Sequence, residues 1–272
     1  MVERKTARFE GMTVSYLEGG QGEPLLLSHG SGPGASSVGN WRLLLPLLEQ
    51  HFHTIAVDLI GFGESERKKS GPYFDLDLWS RQLSFALNLF REDQVNVLGH
   101  SLSGYLMLQL ASRDRRVKKA MATCSMGNSF PINEHMQRIW SFPPTREAIR
   151  QAGESLVWDL SVLNDEYISG RERVLHGGDY DQYFEQLFQG DKQLYIDAAV
   201  LTDAEIANIA CPVLLVHGRN DLPIPFSHGV ELAERMPWAD FIALARCGHS
   251  PALEQTARLA QITKDFFMPE GC

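Results

Sequence analysis

Gly99-His100-Ser101-Leu102-Ser103-Gly104 joins two segments of different periodicity. Before it, Gln94-Val95-Asn96-Val97-Leu98 is a short apolar run that reads as a buried strand. After it, Tyr105-Leu106-Met107-Leu108-Gln109-Leu110-Ala111 reads as a helix. A serine on a tight strand-to-helix turn is pushed outward, and small neighbours let the backbone bend there. The turn also places the serine at a helix N-terminus, where backbone N–H groups stabilise developing negative charge. Ser101 is therefore expected to be a nucleophile. The competing reading is a chance G-x-S-x-S-G in a Gly-rich connection, so the flanking chain has to decide.

Outward from this turn, short apolar runs alternate with helical patterns. Residues 7–17 read as strand, turn at Gly11, strand. Residues 24–28 form a strand that ends at His29-Gly30. Leucines at helical spacing predict a helix over 41–51. Residues 54–58 are a buried strand ending before Gly61-Phe62-Gly63, and 75–91 form an amphipathic helix carrying Leu78, Leu83, Leu87 and Leu89. A strand is expected at 118–123. From about 130 to 205 the chain holds aromatic-rich helical segments and no convincing strand. Alternation resumes with a strand at 212–216, a helix at 227–236, a strand at 241–245 and a helix at 254–267. Strands alternating with helices predict an α/β fold with a mostly parallel central sheet flanked by helices. The expected organisation is a core from 1–128 and 206–272, with 129–205 inserted as a helical cap, or lid.

Composition bounds what such a chain does. Its 272 residues, 44% hydrophobic, suit one globular α/β unit with an insertion. With 25 basic and 34 acidic residues the formal charge is −9, so nucleic acid and anionic membranes are not expected partners. A local basic pocket for a small anion remains compatible with that charge. Cys124, Cys211, Cys247 and Cys272 show no metal-ligand spacing and read as free thiols in a reducing, cytoplasmic setting. Met1-Val2-Glu3-Arg4-Lys5 lacks the apolar core of a signal peptide. No run is long and apolar enough to span a bilayer.

A serine nucleophile needs a base, and the base needs an orienting carboxylate. Strand 212–216 runs into His217-Gly218-Arg219-Asn220-Asp221, and strand 241–245 into Arg246-Cys247-Gly248-His249. Asp221 and His249 thus follow strand ends, at the edge where open α/β sheets place their sites. The order Ser101, Asp221, His249 is that of the α/β-hydrolase fold. Asp221 reads alternatively as a turn former before Pro223, and Asp58 is a rival orienter at another strand end. His51 and His53 resemble a metal pair but have no third ligand nearby in sequence, so no metal and no organic cofactor is expected. His135, His176 and His228 read as cap or surface residues. An oxyanion needs donors. The N–H of Leu102 is one, and the loop His29-Gly30-Ser31-Gly32-Pro33-Gly34 offers that of Ser31 or Gly32.

His29-Gly30-Ser31-Gly32-Pro33-Gly34-Ala35, Asn40-Trp41-Arg42 and Asp58-Leu59-Ile60-Gly61-Phe62-Gly63 resemble the meta-cleavage product hydrolases. Gly218-Arg219-Asn220-Asp221 and Arg246-Cys247-Gly248-His249 look like the same family. These are α/β-hydrolases that break a C–C bond in ring-fission products of aromatic compounds. The resemblance covers nearly the whole sheet region and is weaker over the cap. It implies a substrate of the 2-hydroxy-6-oxo-hexa-2,4-dienoate type, a carboxylate. By the same resemblance Ser169-Gly170-Arg171 makes Arg171 the carboxylate-binding cation, with Arg173 as fallback, and Asn40 a polar substrate contact. Asn40 reads alternatively as a helix N-cap before Trp41. The family commonly forms dimers, so a homodimer is expected.

Three positions depart from the family's pattern. His100 stands where the family has Asn, Ser103 where it has Gly, and Ser250 where it has a large aromatic. His100 keeps hydrogen bonding and adds a titratable group; Ser250 removes a pocket wall. Both belong to the expected substrate-binding set. Gly-His-Ser is the commoner spelling among esterases and lipases of this fold, so a carboxylesterase or lactonase with the same three residues is the alternative. A relative that only binds a ligand is a third reading, against which the intact set of Ser101, Asp221 and His249 argues.

Overall fold

The computed structural model describes residues 2–268. Eight strands form one sheet: β1 (Glu3–Phe9), β2 (Met12–Gly19), β3 (Glu23–Ser28), β4 (Phe52–Val57), β5 (Val95–His100), β6 (Val117–Thr123), β7 (Val213–Gly218) and β8 (Asp240–Leu244). Their spatial order is β1-β2-β4-β3-β5-β6-β7-β8. β2 is antiparallel to β1 and β4, and every other pairing is parallel. This is the α/β-hydrolase architecture the sequence predicts.

Leu25, Leu26 and Leu27 explain why β3 sits in the middle. Successive side chains point to opposite faces, and all three are fully buried, so both faces of the sheet are covered. Leu26, Val97 and Ala120 join one apolar cluster, while Leu25, Leu27, Leu98 and Met121 join the other. The first cluster continues into the insertion through Trp140, Tyr167 and Phe184.

Register then sets the site. Ser28 lies opposite Gly99, His100 opposite Thr123, and Thr123 opposite Val216. The C-terminal ends of β3, β5, β6 and β7 therefore finish at one edge. β3 is flanked by β4 on one side and β5 on the other, a reversal of strand order that opens a crevice at this edge.

Between β6 and β7 the chain is helical, including Glu134–Ile139, Arg146–Glu154, Asp165–Leu175 and Tyr180–Leu187. Two predicted helices differ from expectation. The 41–51 stretch is broken into Ser37–Trp41 and Leu45–Leu48, with Pro46 in the first turn of the second, where its missing N–H costs nothing. The 254–267 stretch divides into Pro251–Glu254 and Thr256–Phe267. At the break, the Gln255 amide donates to Ala245 and Arg246 carbonyls. Cys124, Cys211 and Cys247 are free thiols; Cys272 lies outside the described residues. No helix among the described residues is long and apolar enough to cross a membrane.

Candidate active site

Ser101 follows the last residue of β5 and precedes the helix Leu102–Arg113 with φ 56° and ψ −119°. That left-handed conformation is unusual for a residue with a Cβ, and it turns the side chain out of the helix it precedes. Its backbone is held on both sides: Ser101 N–H donates to Thr123 O at 2.9 Å, and Ser101 O accepts from Met126 N at 3.2 Å. A Cβ on Gly99 would lie 2.1 Å from Ser103 O, and one on Gly30 would lie 3.1 Å from Ser101 Cβ. Close backbone approach thus requires glycine at position 99, while Gly30 packs tightly against the Ser101 and His100 side chains.

His249 Nε2 lies 3.0 Å from Ser101 Oγ, and His249 Nδ1 lies 2.8 Å from Asp221 Oδ2. A carboxylate only accepts, so Nδ1 carries the proton and Nε2 presents its lone pair to the serine. All three residues are buried. The other Asp221 oxygen, Oδ1, accepts from Ile224 N at 2.9 Å, a turn-forming bond. Both readings of Asp221 thus describe this one carboxylate, one oxygen each. Burial alone would raise the Asp221 carboxyl. The charge of His249 and hydrogen bonds from His217 and His249 outweigh it and hold it well below the usual carboxylate range. Asp58, the rival orienter, is engaged elsewhere: it accepts from Ser37 N at 2.6 Å and Glu64 N at 3.0 Å.

The loop after β3 approaches from the other side. His29 is buried, and burial pushes its ring below the ordinary value. It donates from Nδ1 to Gly30 O at 2.6 Å and accepts at Nε2 from Leu59 N at 3.1 Å, which fixes the loop against the β4 end. The Ser31 hydroxyl accepts from Trp140 Nε1 of the insertion at 3.0 Å. The backbone N–H groups of Ser31, Gly32 and Leu102 meet no acceptor among the described residues, which leaves them available for an oxyanion.

Asn40, His100, Arg171 and Ser250 all line one small cavity of about 10 Å³, closed by Gly39 and residues 251–253. Four positions far apart in sequence therefore converge beside the serine turn. Asn40 is inside the helix Ser37–Trp41, and Ser36 is its N-cap, so the capping reading of Asn40 does not hold. Burial first, then neighbouring His249, push the His100 ring well below the ordinary histidine value, so it is neutral. Its Nδ1 lies 3.1 Å from Thr123 Oγ1, whose hydrogen is directed to Gly99 O, and 3.2 Å from Thr123 O; with Nδ1 donating to these acceptors, Nε2 is left as a hydrogen-bond acceptor. His100 also packs against His249, ring centres 4.8 Å apart. Arg171 donates from Nη1 to Pro33 O at 2.9 Å and stacks over Tyr167. Arg173 does not line this cavity. Ser103, the third departure, is structural: its hydroxyl lies 3.0 Å from Ser28 Oγ and donates to His29 O.

Several residues escaped sequence reasoning. His217 Nε2 donates to Ile224 O at 3.0 Å and lies 3.3 Å from Asp221 Oδ2. Its place four residues before Asp221 was visible; the partner was not. Glu254 accepts from Gly248 N at 2.8 Å, Trp158 N at 2.6 Å and Asp159 N at 3.1 Å, tying the insertion to the loop before His249. His228 is buried in the core helix Phe226–Arg235 against Phe130, a correction to its reading as a cap or surface residue. His53 pairs with Glu18 at 2.9 Å.

A model of the alpha/beta hydrolase family matches residues 25–262. The chain belongs to that family. It is 31% identical over 257 residues to the 2-hydroxymuconate semialdehyde hydrolase of Pseudomonas sp. (strain CF600), covering 94% of this chain and 90% of that one. It is 29% identical over 261 residues to the 2-hydroxy-6-oxo-2,4-heptadienoate hydrolase of Pseudomonas putida, covering 96% and 94%. A meta-cleavage product hydrolase from Pseudomonas fluorescens IP01, solved as a serine-to-alanine mutant complexed with acetates, superposes with a TM-score of 0.92 at 29% identity over 97% of each chain. The hydrolase described here is thus similar along nearly its whole length to meta-cleavage product hydrolases.

Proposed function

We propose that this α/β-hydrolase cleaves the C5–C6 bond of 2-hydroxy-6-oxo-hexa-2,4-dienoate-type acids, with Ser101, His249 and Asp221 as its catalytic residues. The observation that carries the reading is the convergence of Asn40, His100, Arg171 and Ser250 on one cavity beside the serine turn. A carboxylate-bearing substrate needs a cation there, and Arg171 supplies a planar fork that can grip it bidentately.

The chemistry follows from the groups at hand. A C–C bond breaks heterolytically only if the leaving carbanion is stabilised. Transfer of the 2-hydroxyl proton to C5 converts the dienol into a 2-ketone. That ketone then accepts the electron pair when C5–C6 cleaves, giving a dienolate. His249, whose Nε2 holds the lone pair, carries protons between these positions. His100 Nε2 accepts from the 2-hydroxyl, a role its neutral tautomer allows. Ser101 Oγ, or a water activated by the same base, adds to C6, and the Leu102 N–H with that of Ser31 or Gly32 stabilises the oxyanion. The products are a carboxylic acid and 2-hydroxypenta-2,4-dienoate, with one water consumed. Residues 129–205 act as the lid over this site. A cavity of about 10 Å³ holds about one water, so the substrate enters only when the lid helix carrying Arg171 moves.

Incubation with yellow dienoates of varied C6 substituent is expected to bleach them, and Ser101→Ala is expected to lose at least about a thousandfold in kcat. No bleaching across the series rejects the reading. His100 and Ser250, standing where the family has an amide and an aromatic, favour a carboxylesterase or lactonase as the second reading. Rapid turnover of short acyl esters with dienoates left intact would select it.

A further inference from the structure

Beyond the serine turn, a cleft of about 620 Å³ opens between the helix Asp165–Leu175 and the core. It does not reach Ser101; Gly39 and Arg171 are the walls it shares with the inner cavity. Glu166, Gly170, Arg173 and Val174 line it from one face of the helix, at the spacing that places residues over successive turns. Arg4 and Arg42 face them from the core.

The charges in this cleft do not cancel. Arg4 is engaged by Asp58 at 3.5 Å and Glu64 at 3.4 Å. Arg42 and Arg173 donate only to the backbone carbonyls of Gly39 and Ser169, each at 3.4 Å. Arg171 likewise bonds a carbonyl and a ring, and none of these three pairs with a carboxylate among the described residues. Four guanidinium groups, Arg4, Arg42, Arg171 and Arg173, therefore meet three carboxylates, Asp58, Glu64 and Glu166, at the cleft lining, and the balance is positive by one in a chain whose formal charge is −9. At physiological ionic strength charges beyond about 8 Å are largely screened. An approaching anion thus responds to the cleft rather than to the acidic chain as a whole.

We propose that this cleft is a carboxylate-collecting vestibule, in which Arg42 and Arg173 draw the anionic substrate toward Arg171, the wall between vestibule and inner cavity. The inference rests on the reading of the substrate as a carboxylate. Arg42 and Arg173 act before the chemistry, so they set capture and leave the bond-breaking step alone.

The test is the pair Arg42→Gln/Arg173→Gln, assayed at several ionic strengths with a dienoate and with a neutral acyl ester. For the dienoate, kcat/KM is expected to fall about fivefold or more and to lose most of its salt dependence, with kcat within about twofold. The neutral ester should be unaffected, and Arg42→Lys/Arg173→Lys should recover most of the loss. Unchanged kcat/KM and salt slope for the dienoate, or an equal fall for the neutral ester, overturns the vestibule. If the wild type leaves dienoates intact, the reaction proposed above fails separately. The vestibule is then read from an ester bearing a free carboxylate against its methyl-capped counterpart: selective loss of the charged ester supports it, and equal effects overturn it.

Discussion

One oxygen of Asp221 accepts the Ile224 N–H, while the other faces His249 and, more distantly, His217. Asp221→Asn preserves the turn acceptor but places an amide N–H against His249 or inverts its tautomer. The expected loss in kcat is on the order of 10⁴, with little change in KM, read from steady-state kinetics. At this scale the sequence was readable for Ser101, Asp221 and His249 because each lies just beyond a strand's C-terminal end in a fixed chain order. It was less readable where a role depends on a distant partner. Thr123 engages His100 Nδ1 through both its carbonyl and its hydroxyl, and Ser28 with His29 O occupies the Ser103 hydroxyl; none of these partners is near in sequence.

At the scale of elements, the β5–turn–helix unit carries the tightest backbone contacts. A Cβ at Gly99 would sit 2.1 Å from Ser103 O, a backbone atom that moves only with the turn itself. Gly99→Ala is therefore expected to destabilise by at least about 2 kcal/mol and to lower activity by displacing Ser101, measured by urea unfolding alongside turnover. Most strands were legible because parallel strands buried on both faces read as continuous apolar runs, as in Leu25-Leu26-Leu27. The misread helices show what local pattern omits. Pro46 starts a new helix rather than continuing the leucine-spaced one, because its ring cannot donate in a helix interior. The break at Gln255 is fixed by its amide reaching Ala245 and Arg246, a tertiary bond that no periodicity reports.

For the whole molecule, buried His228 links stability to pH. Burial first, then neighbouring His217, depress its ring to about 4, and neither nitrogen reaches hydrogen-bond geometry. The unfolded chain takes up a proton near 6.5 and the folded one does not, so folding stability is complete above that value. It is lost as pH falls from about 6.5 toward 4, by up to roughly 3 kcal/mol. His228→Leu, which fills the space beside Phe130, is expected to remove this part of the pH dependence. The check is the difference in unfolding free energy between pH 7.5 and pH 4.5, wild type against variant. The Asp221 depression acts with the same sign lower on the scale. Its contribution is present above the ordinary carboxylate range and lost as pH falls through the lowered folded value.

Glu254 bears on how such proteins diversify. Its carboxylate holds the backbone of Trp158 and Asp159 together with that of Gly248, the neighbour of His249. A Cβ on Gly248 would lie 2.8 Å from Trp158 N, so the two segments touch backbone to backbone. The insertion is therefore not an interchangeable module. The corresponding stretch transplanted from a relative would bring a new 157–159 backbone against an unchanged clamp and shift the Gly248-His249 segment it rests on. Recombination that keeps residues 157–159 and 248–254 from one parent should yield working chimeras far more often than recombination that divides them.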